Sequence, residues 1–230
     1  MERIILIETS TSLCSTALAE DGTVVSYKES ATPKSQASLT APFVEEMLSE
    51  RGLKVSDCSA VCVSMGPGSY TGLRVGSSTA KGLCFGGGIP LLAAGTLDTL
   101  VAQAADEGLL PEDCRYIIPM IDARRMEVYS AVFTPDGRQL TETAPQIITE
   151  ESFRDFIEEG PVLFIGDGAL KCKDVLTSSN CHFVQCCPKA SAMLRPAIQA
   201  MRAGDFKDIA YFEPFYLKQF VATVSKKNLF

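Results

Sequence analysis

The sequence predicts an α/β fold built from two similar lobes. Three features recur in both halves of the chain: an acidic residue at the end of a first apolar strand, an Asp-Gly turn, and a glycine turn after a later buried strand. With 230 residues, of which 46% are apolar and 21% charged, the chain is long enough to bury a core in each lobe.

The first half is predicted to begin with a β-hairpin. Residues 4–7 form a short apolar run, residues 14–20 are typical of a strand, and the turn pair Asp21-Gly22 leads into residues 24–27. A helix is then expected from about residue 40 to residue 51, because apolar side chains recur there at helical spacing.

A buried strand and two further helices complete the first half. Residues 60–65 form an apolar strand that ends at Gly66-Pro67-Gly68. A second helix is predicted over residues 69–85, where three consecutive glycines stop it. Thr96 is expected to cap a third helix that runs to residue 105.

The second half repeats this plan. When Glu8 is aligned with Asp122, the two Asp-Gly turns at residues 21–22 and 136–137 coincide with one inserted residue. Each half is therefore predicted to contain a hairpin, a helix, a strand, a glycine turn and a second helix, in that order. We expect the chain to divide into an amino-terminal lobe, residues 1–106, and a carboxyl-terminal lobe, residues 107–230. Two such lobes describe the architecture of actin, sugar kinases and the Hsp70 ATPase, which is ribonuclease H-like.

In this architecture the first hairpin turns and the glycine turns face a cleft between the lobes. Backbone N–H groups and hydroxyls there can receive phosphate oxygens. The candidate residues of a vestigial nucleotide site are Glu8, Thr9, Ser10, Thr11, Ser12, Gly66, Gly68, Asp122, Gly166 and Gly168. The alternative is that these hydroxyls only satisfy a local turn, as Ser and Thr do in many loops.

Charge and cysteine usage limit the classes of ligand. The net charge of −7 and the sequence pI of about 4.9 disfavour tight tRNA binding by this chain alone, because that requires clustered Lys and Arg. The nine cysteines include no CxxC pair, so they are expected to be reduced thiols in a cytoplasmic protein. No membrane segment is predicted.

A second cysteine feature is the group formed by Cys181, Cys186 and Cys187 near His182. A zinc site is the alternative interpretation, but zinc ligands usually come in paired spacing. We expect thiols buried in a strand and a partly buried structural histidine, and no bound metal.

Four motifs resemble the TsaB (YeaZ) family of bacterial tRNA-modification proteins. Residues 66–76 read GPGSYTGLRVG and are similar to the family signature GPGSFTGLRIG. The opening ILIETSTSLCSTAL, the segment Ile121-Asp122-Ala123-Arg124 and the carboxyl-terminal Pro214-Phe215-Tyr216-Leu217 match further family patterns.

The resemblance implies a non-catalytic scaffold and activator that pairs with TsaD, a protein of the same fold. TsaD transfers a threonylcarbamoyl group to N6 of adenosine 37 in tRNAs that read codons beginning with A, and the small ATPase TsaE resets the complex. The resemblance further implies that this chain binds no cofactor tightly by itself and that ATP or ADP can bind only in the complex. It also implies that tRNA is contacted only through the complex and that the chain can form a homodimer when TsaD is absent.

The resemblance also places the partner surface on the helix of residues 69–85 and its neighbour. The predicted contact residues are Phe43, Met47, Gly72, Leu73, Val75, Gly76, Thr79 and Ala80. Glycines and alanine spaced four apart form one stripe on the helix, and interior glycine costs about 1 kcal/mol relative to alanine. Close approach of a partner backbone would offset that cost. The alternative is that the stripe packs on the chain's own sheet.

A self-sufficient ATPase or small-molecule kinase is the competing functional class. Glu8, Asp122 and Asp167 could hold magnesium or accept a proton in such an enzyme. The sequence lacks a stringent phosphate-binding motif, and Glu8 stands where the family usually has Asp. The loop of residues 33–36 has no His, although relatives often carry one there. The single histidine of the chain also cannot supply the histidine pair that holds the metal of TsaD-like proteins.

Overall fold

Within residues 1–217, which the computed structural model describes, two five-stranded sheets have the orders β3-β2-β1-β4-β5 and β10-β9-β6-β7-β8. When the second order is taken from its other end, it matches the first strand for strand. The duplication predicted from the sequence is therefore confirmed. The strands are β1 Arg3–Glu8, β2 Cys14–Glu20, β3 Thr23–Ser30, β4 Ala60–Gly66, β5 Leu91–Gly95, β6 Tyr116–Asp122, β7 Glu127–Ser130, β8 Ala144–Ile147, β9 Val162–Ile165 and β10 Cys181–Val184.

Each sheet combines an antiparallel hairpin with a parallel half. β1 pairs antiparallel with β2 and parallel with β4, and β6 does the same with β7 and β9. Asp21 and Gly22 both have positive φ angles, of 45° and 81°, which suits the tight turn of a hairpin. The predicted first hairpin is correct.

Five α-helices lie among the described residues: α1 Gln36–Ser49, α2 Tyr70–Gly87, α3 Thr96–Asp106, α4 Arg154–Glu159 and α5 Leu194–Ala203. Ser69 caps α2, since its Oγ accepts a hydrogen bond from the Gly72 N–H at 3.3 Å, and Gly88 ends the helix with a left-handed backbone. The predicted cap at Thr96 is wrong, because Gly95 occupies the cap position and Thr96 is already helical. None of these helices is long and apolar enough to span a membrane.

The carboxyl-terminal half departs from the predicted plan in two places. The helix expected after Gly166-Asp167-Gly168 is only a 3-10 turn, Leu170–Cys172. The Asp136-Gly137 turn closes a small side loop, in which Thr134 and Arg138 are hydrogen-bonded, and β8 begins seven residues after Gly137. The duplicated lobes thus share their sheets but differ in their connections.

The two lobes exchange helices. α1 and α2 cover one face of the first sheet, while its other face is covered by Met193, the last residue of the 3-10 turn before α5, and by Ala197 of α5. α3, which precedes the predicted boundary at residue 106, packs through Leu97 and Leu100 on the second sheet. The strands therefore divide between β5 and β6, whereas one helix from each half belongs to the other lobe's core. The division of the chain into two lobes at residue 106 stays a prediction.

Gln103 of α3 holds the segment that returns from the second lobe to the first. Its side-chain Nε2 donates to the Cys187 carbonyl at 3.3 Å, and its Oε1 accepts the Lys189 N–H at 3.0 Å. Only 1% of Gln103 is exposed. Since buried polar groups need partners, this double contact fixes the path of the returning chain.

Candidate functional site: the interlobe cleft and the α1–α2 face

A cleft of about 950 Å³ lies between the lobes. Of the ten predicted nucleotide-facing residues, five line it: Ser10, Thr11, Ser12, Gly68 and Asp122. The other five do not: Glu8, Thr9, Gly66, Gly166 and Gly168. The structure thus brings the two glycine-turn regions to one cleft, and the assignment of a vestigial nucleotide site there stays a prediction.

Glu8 lies beneath the first loop, residues 9–13, which connects β1 to β2. It is fully buried. Its Oε1 accepts the Ser10 N–H at 2.6 Å, while Oε2 has no partner among the described residues. Burial raises the pKa of this carboxyl to about 7, although the hydrogen bonds from Ser10 act in the opposite direction. Because Glu8 is covered by protein on all sides, it cannot contact a ligand in the cleft.

Two glycines of α2 pack closely against the first loop. The Thr9 hydroxyl donates to the Gly72 carbonyl at 2.9 Å. A Cβ atom built on Gly72 would lie 2.0 Å from the Thr9 carbonyl oxygen, and one on Gly76 would lie 2.3 Å from the Thr9 Oγ1. These glycines therefore allow the helix to approach the chain's own β1–β2 connection.

The predicted partner surface needs correction at five of its eight residues. Met47, Gly72, Leu73, Gly76 and Ala80 are buried in the first lobe. Their contacts are with this chain's own sheet and first loop, so a partner cannot reach them. Phe43, Val75 and Thr79 are half-buried and stay predicted contact residues.

The wall formed by the second lobe carries two carboxylates and a lysine. The Lys171 ammonium donates to Asp122 Oδ1 at 2.5 Å and to the Glu127 carbonyl at 2.7 Å. Although burial alone would raise the pKa of Asp122, the Lys171 ammonium and the Arg124 N–H outweigh it and lower that pKa. Burial raises the pKa of Asp167 to about 6, even though its carboxylate accepts the Asp122 N–H at 2.8 Å.

Sequence analysis missed Lys171. In the alignment of the two glycine turns, this residue stands three positions after Gly168, in the first turn that follows. A lysine three positions after the second glycine turn, in a lobe whose first strand ends in an acidic residue, is the sequence signal that could have identified Lys171.

The carboxyl-terminal motif of residues 214–217 also reaches the cleft. The Phe215 N–H donates to the Met65 carbonyl at 2.7 Å, which ties this segment to the end of β4. The Tyr216 ring lies 4.8 Å from the Tyr70 ring, between centroids, and the Arg74 guanidinium lies 5.5 Å from the Tyr70 ring. The motif was noticed in the sequence, but its place in the cleft was not.

The cysteine and histidine group lies in and directly after β10, and the absence of a bound metal stays a prediction. Within residues 1–217 no three His, Cys, Asp or Glu side chains are arranged to hold an ion. Cys181 lies in β10, Cys186 and Cys187 follow it, and all three are half-buried rather than buried. His182 is exposed, so the prediction of a partly buried histidine is wrong; alternate residues of an edge strand point outward.

Two sheets of the same strand order, with a cleft between them and a glycine turn on each side, define the fold of actin, sugar kinases and the Hsp70 ATPase. YeaZ from Pseudomonas aeruginosa has the same fold, with a TM-score of 0.82 and 24% identity over 94% of this chain and 100% of that one. An inorganic polyphosphate/ATP-glucomannokinase from Arthrobacter sp. strain KM shares the fold at a TM-score of 0.52 and 12% identity, over 88% of this chain and 100% of that one.

The sequence comparisons identify the family. A family model described as "TsaD: tRNA N6-adenosine threonylcarbamoyltransferase" matches residues 29–224. The tRNA threonylcarbamoyladenosine biosynthesis protein TsaB of Escherichia coli K12 is 30% identical over 227 residues, which is 96% of each chain. This chain belongs to the TsaB (YeaZ) family.

Proposed function

We propose that the chain is a non-catalytic scaffold and activator in threonylcarbamoyladenosine biosynthesis on tRNA, and that it pairs with a TsaD-type protein of the same fold. The name of the Escherichia coli relative supports the pathway. The observation that carries the pairing is an exposed, uncharged stripe on α2 that nothing in the described chain covers.

We call this surface the outer stripe; it consists of Ser78, Gly82 and Gly86. These residues are spaced four apart and are exposed, and four-residue spacing places them on one face of the helix. A Cβ atom built on Gly82 or Gly86 would meet no atom within 4 Å. The fold of the described chain therefore gives no reason for glycine at either position.

The composition of this surface suits the approach of a second helix. Each interior glycine lowers helix stability by about 1 kcal/mol relative to alanine, and a partner backbone that packs closely on the stripe offsets that cost. Phe85, which is 84% exposed, stands beside the stripe as an aromatic anchor of the kind that interfaces use. α1 packs next to α2 and presents the half-buried Phe43.

The proposed lack of catalysis is supported by the position of Glu8. The carboxylate that ends β1 would have to face the cleft to act on a bound phosphate, and here it is buried beneath the first loop. We further propose that ATP or ADP and TsaE join only the assembled complex. The net charge of −7 favours tRNA binding through the partner rather than through this chain.

Gly82→Leu tests the pairing. We expect the variant to melt cooperatively as the wild type does, because the added side chain enters open space, and to bind the TsaD-type protein of the same genome about tenfold more weakly or not at all. Co-elution in size exclusion and calorimetry measure the pairing. Formation of threonylcarbamoyladenosine by the reconstituted system should fall in parallel.

Ala203→Leu is the matched control. Ala203 is an exposed residue of α5, which covers the opposite face of the first sheet, so the same bulk is added away from the outer stripe. If Gly82→Leu binds the partner as tightly as Ala203→Leu does, the outer stripe is not the interface. If this chain alone modifies tRNA, the scaffold proposal is wrong irrespective of the interface.

A further inference from the structure

The second-lobe wall of the cleft places a lysine ammonium among oxygen atoms of the kind that bind hard cations. Lys171 Nζ lies 2.5 Å from Asp122 Oδ1 and 2.7 Å from the Glu127 carbonyl oxygen. Asp167 is held on the same side, since its Oδ1 accepts the Asp122 N–H. Carboxylate and carbonyl oxygens are the protein ligands that Mg²⁺ and Mn²⁺ prefer.

Enzymes that transfer phosphoryl groups hold Mg²⁺ through acidic residues beside the nucleotide. The residues of this wall do not fit such an ion. Asp122 already pairs with Lys171 and accepts the Arg124 N–H at 2.7 Å, and a divalent cation on the same carboxylate would lie next to the lysine ammonium. The Lys171 ammonium and a divalent cation on the same carboxylate would both be positively charged and a few ångströms apart, so they would repel each other strongly in a partly buried site.

We propose that Lys171 replaces a divalent cation on this wall and excludes Mg²⁺ from the cleft. The lysine is fixed rather than freely mobile: its side chain is only 23% exposed, and Cys172, the next residue, is fully buried in the core of the second lobe. The corresponding position in the first lobe is Thr71, at the beginning of α2. A lysine therefore stands at this position on only one wall of the cleft. This inference is independent of the pairing with TsaD.

Lys171→Met tests the proposal, since methionine keeps an apolar stem and removes the ammonium. We expect the wild type to show no Mn²⁺ binding up to about 1 mM, followed by electron paramagnetic resonance. We expect Lys171→Met to bind Mn²⁺ with a dissociation constant of about 0.1 mM, roughly tenfold below that concentration. Adding Asp122→Asn to that variant should abolish the binding. Lys173→Met, which removes an exposed lysine two residues away, is the control for a general change in charge.

Equal Mn²⁺ binding by the wild type and Lys171→Met, or by Lys171→Met and Lys173→Met, would overturn the proposal, as would no binding by a folded Lys171→Met. Circular dichroism establishes folding, and Lys171→Ala serves if the methionine variant does not fold. The wild type supplies a measurement that needs no variant: the ¹⁵N signal of the Lys171 ammonium should be unchanged by Mg²⁺, and a shift at millimolar Mg²⁺ contradicts the inference.

Discussion

Gly72→Ala is expected to lower the free energy of unfolding by about 3 kcal/mol. The new Cβ atom would lie 2.0 Å from the Thr9 carbonyl oxygen, and neither group can move easily. Gly72 is inside α2, and Thr9 is fully buried, with its hydroxyl bonded to the Gly72 carbonyl. The helix and the first loop must separate to admit one methyl group. Urea denaturation of the isolated chain measures the effect.

Gly82→Ala is the matched substitution on the same helix. Its Cβ atom would meet nothing within 4 Å, so the higher helix propensity of alanine should raise the free energy of unfolding by about 1 kcal/mol. The two variants therefore shift stability in opposite directions. Equal effects from both substitutions would show that α2 does not pack on the first loop in the way described.

Glu8→Gln is expected to stabilise the protein at pH 8 by roughly 3 kcal/mol and to have little effect near pH 4. Burial raises the pKa of Glu8 in the folded state from its usual 4.5 to about 7, so the folded chain binds a proton more tightly than the unfolded chain. The contribution of Glu8 to wild-type stability therefore falls as the pH rises from about 4.5 to about 7 and is constant above. Glutamine keeps the oxygen that accepts the Ser10 N–H but does not ionise.

Unfolding free energies of both proteins between pH 4 and pH 8 measure this difference. Glu45→Gln, at an exposed position of α1, is the control for the loss of one surface carboxylate and should not show the same widening gap. A constant difference between Glu8→Gln and the wild type over this range would mean that Glu8 has the same pKa in the folded and the unfolded chain, so that burial does not raise it.

The sequence could predict the duplication and the approximate ends of α2 because both depend on local signals, although the helix runs two residues beyond its predicted end at residue 85. The hairpin turns and glycine turns recur at matching places, and Ser69 and Gly88 are a side-chain cap and a left-handed end. The start of α1 was predicted four residues late, because the apolar spacing begins only after its first turn. The missing helix after Gly168 has a local cause as well, since the turn-forming residues 177–180 begin nine residues after it.

The orientation of α2 could not be predicted in the same way. The helix carries two sets of small residues: Gly72 and Gly76 on one face, and Gly82 and Gly86 on another. Sequence spacing identifies both sets but does not determine which face packs on the sheet. That choice depends on the first loop, where Thr9 approaches the helix. For the same reason Met47 was taken for an interface residue although it is a core residue.

The exchange of helices between the lobes has a consequence for the order of folding. One face of the first sheet, including Ile4 and Leu6, is covered by Met193 and Ala197, which are synthesised more than 180 residues later. A nascent chain therefore cannot complete its amino-terminal lobe while it is still the only lobe made, as independent domains commonly do. This apolar face of the first sheet therefore stays uncovered until the segment that contains Met193 and Ala197 has been synthesised.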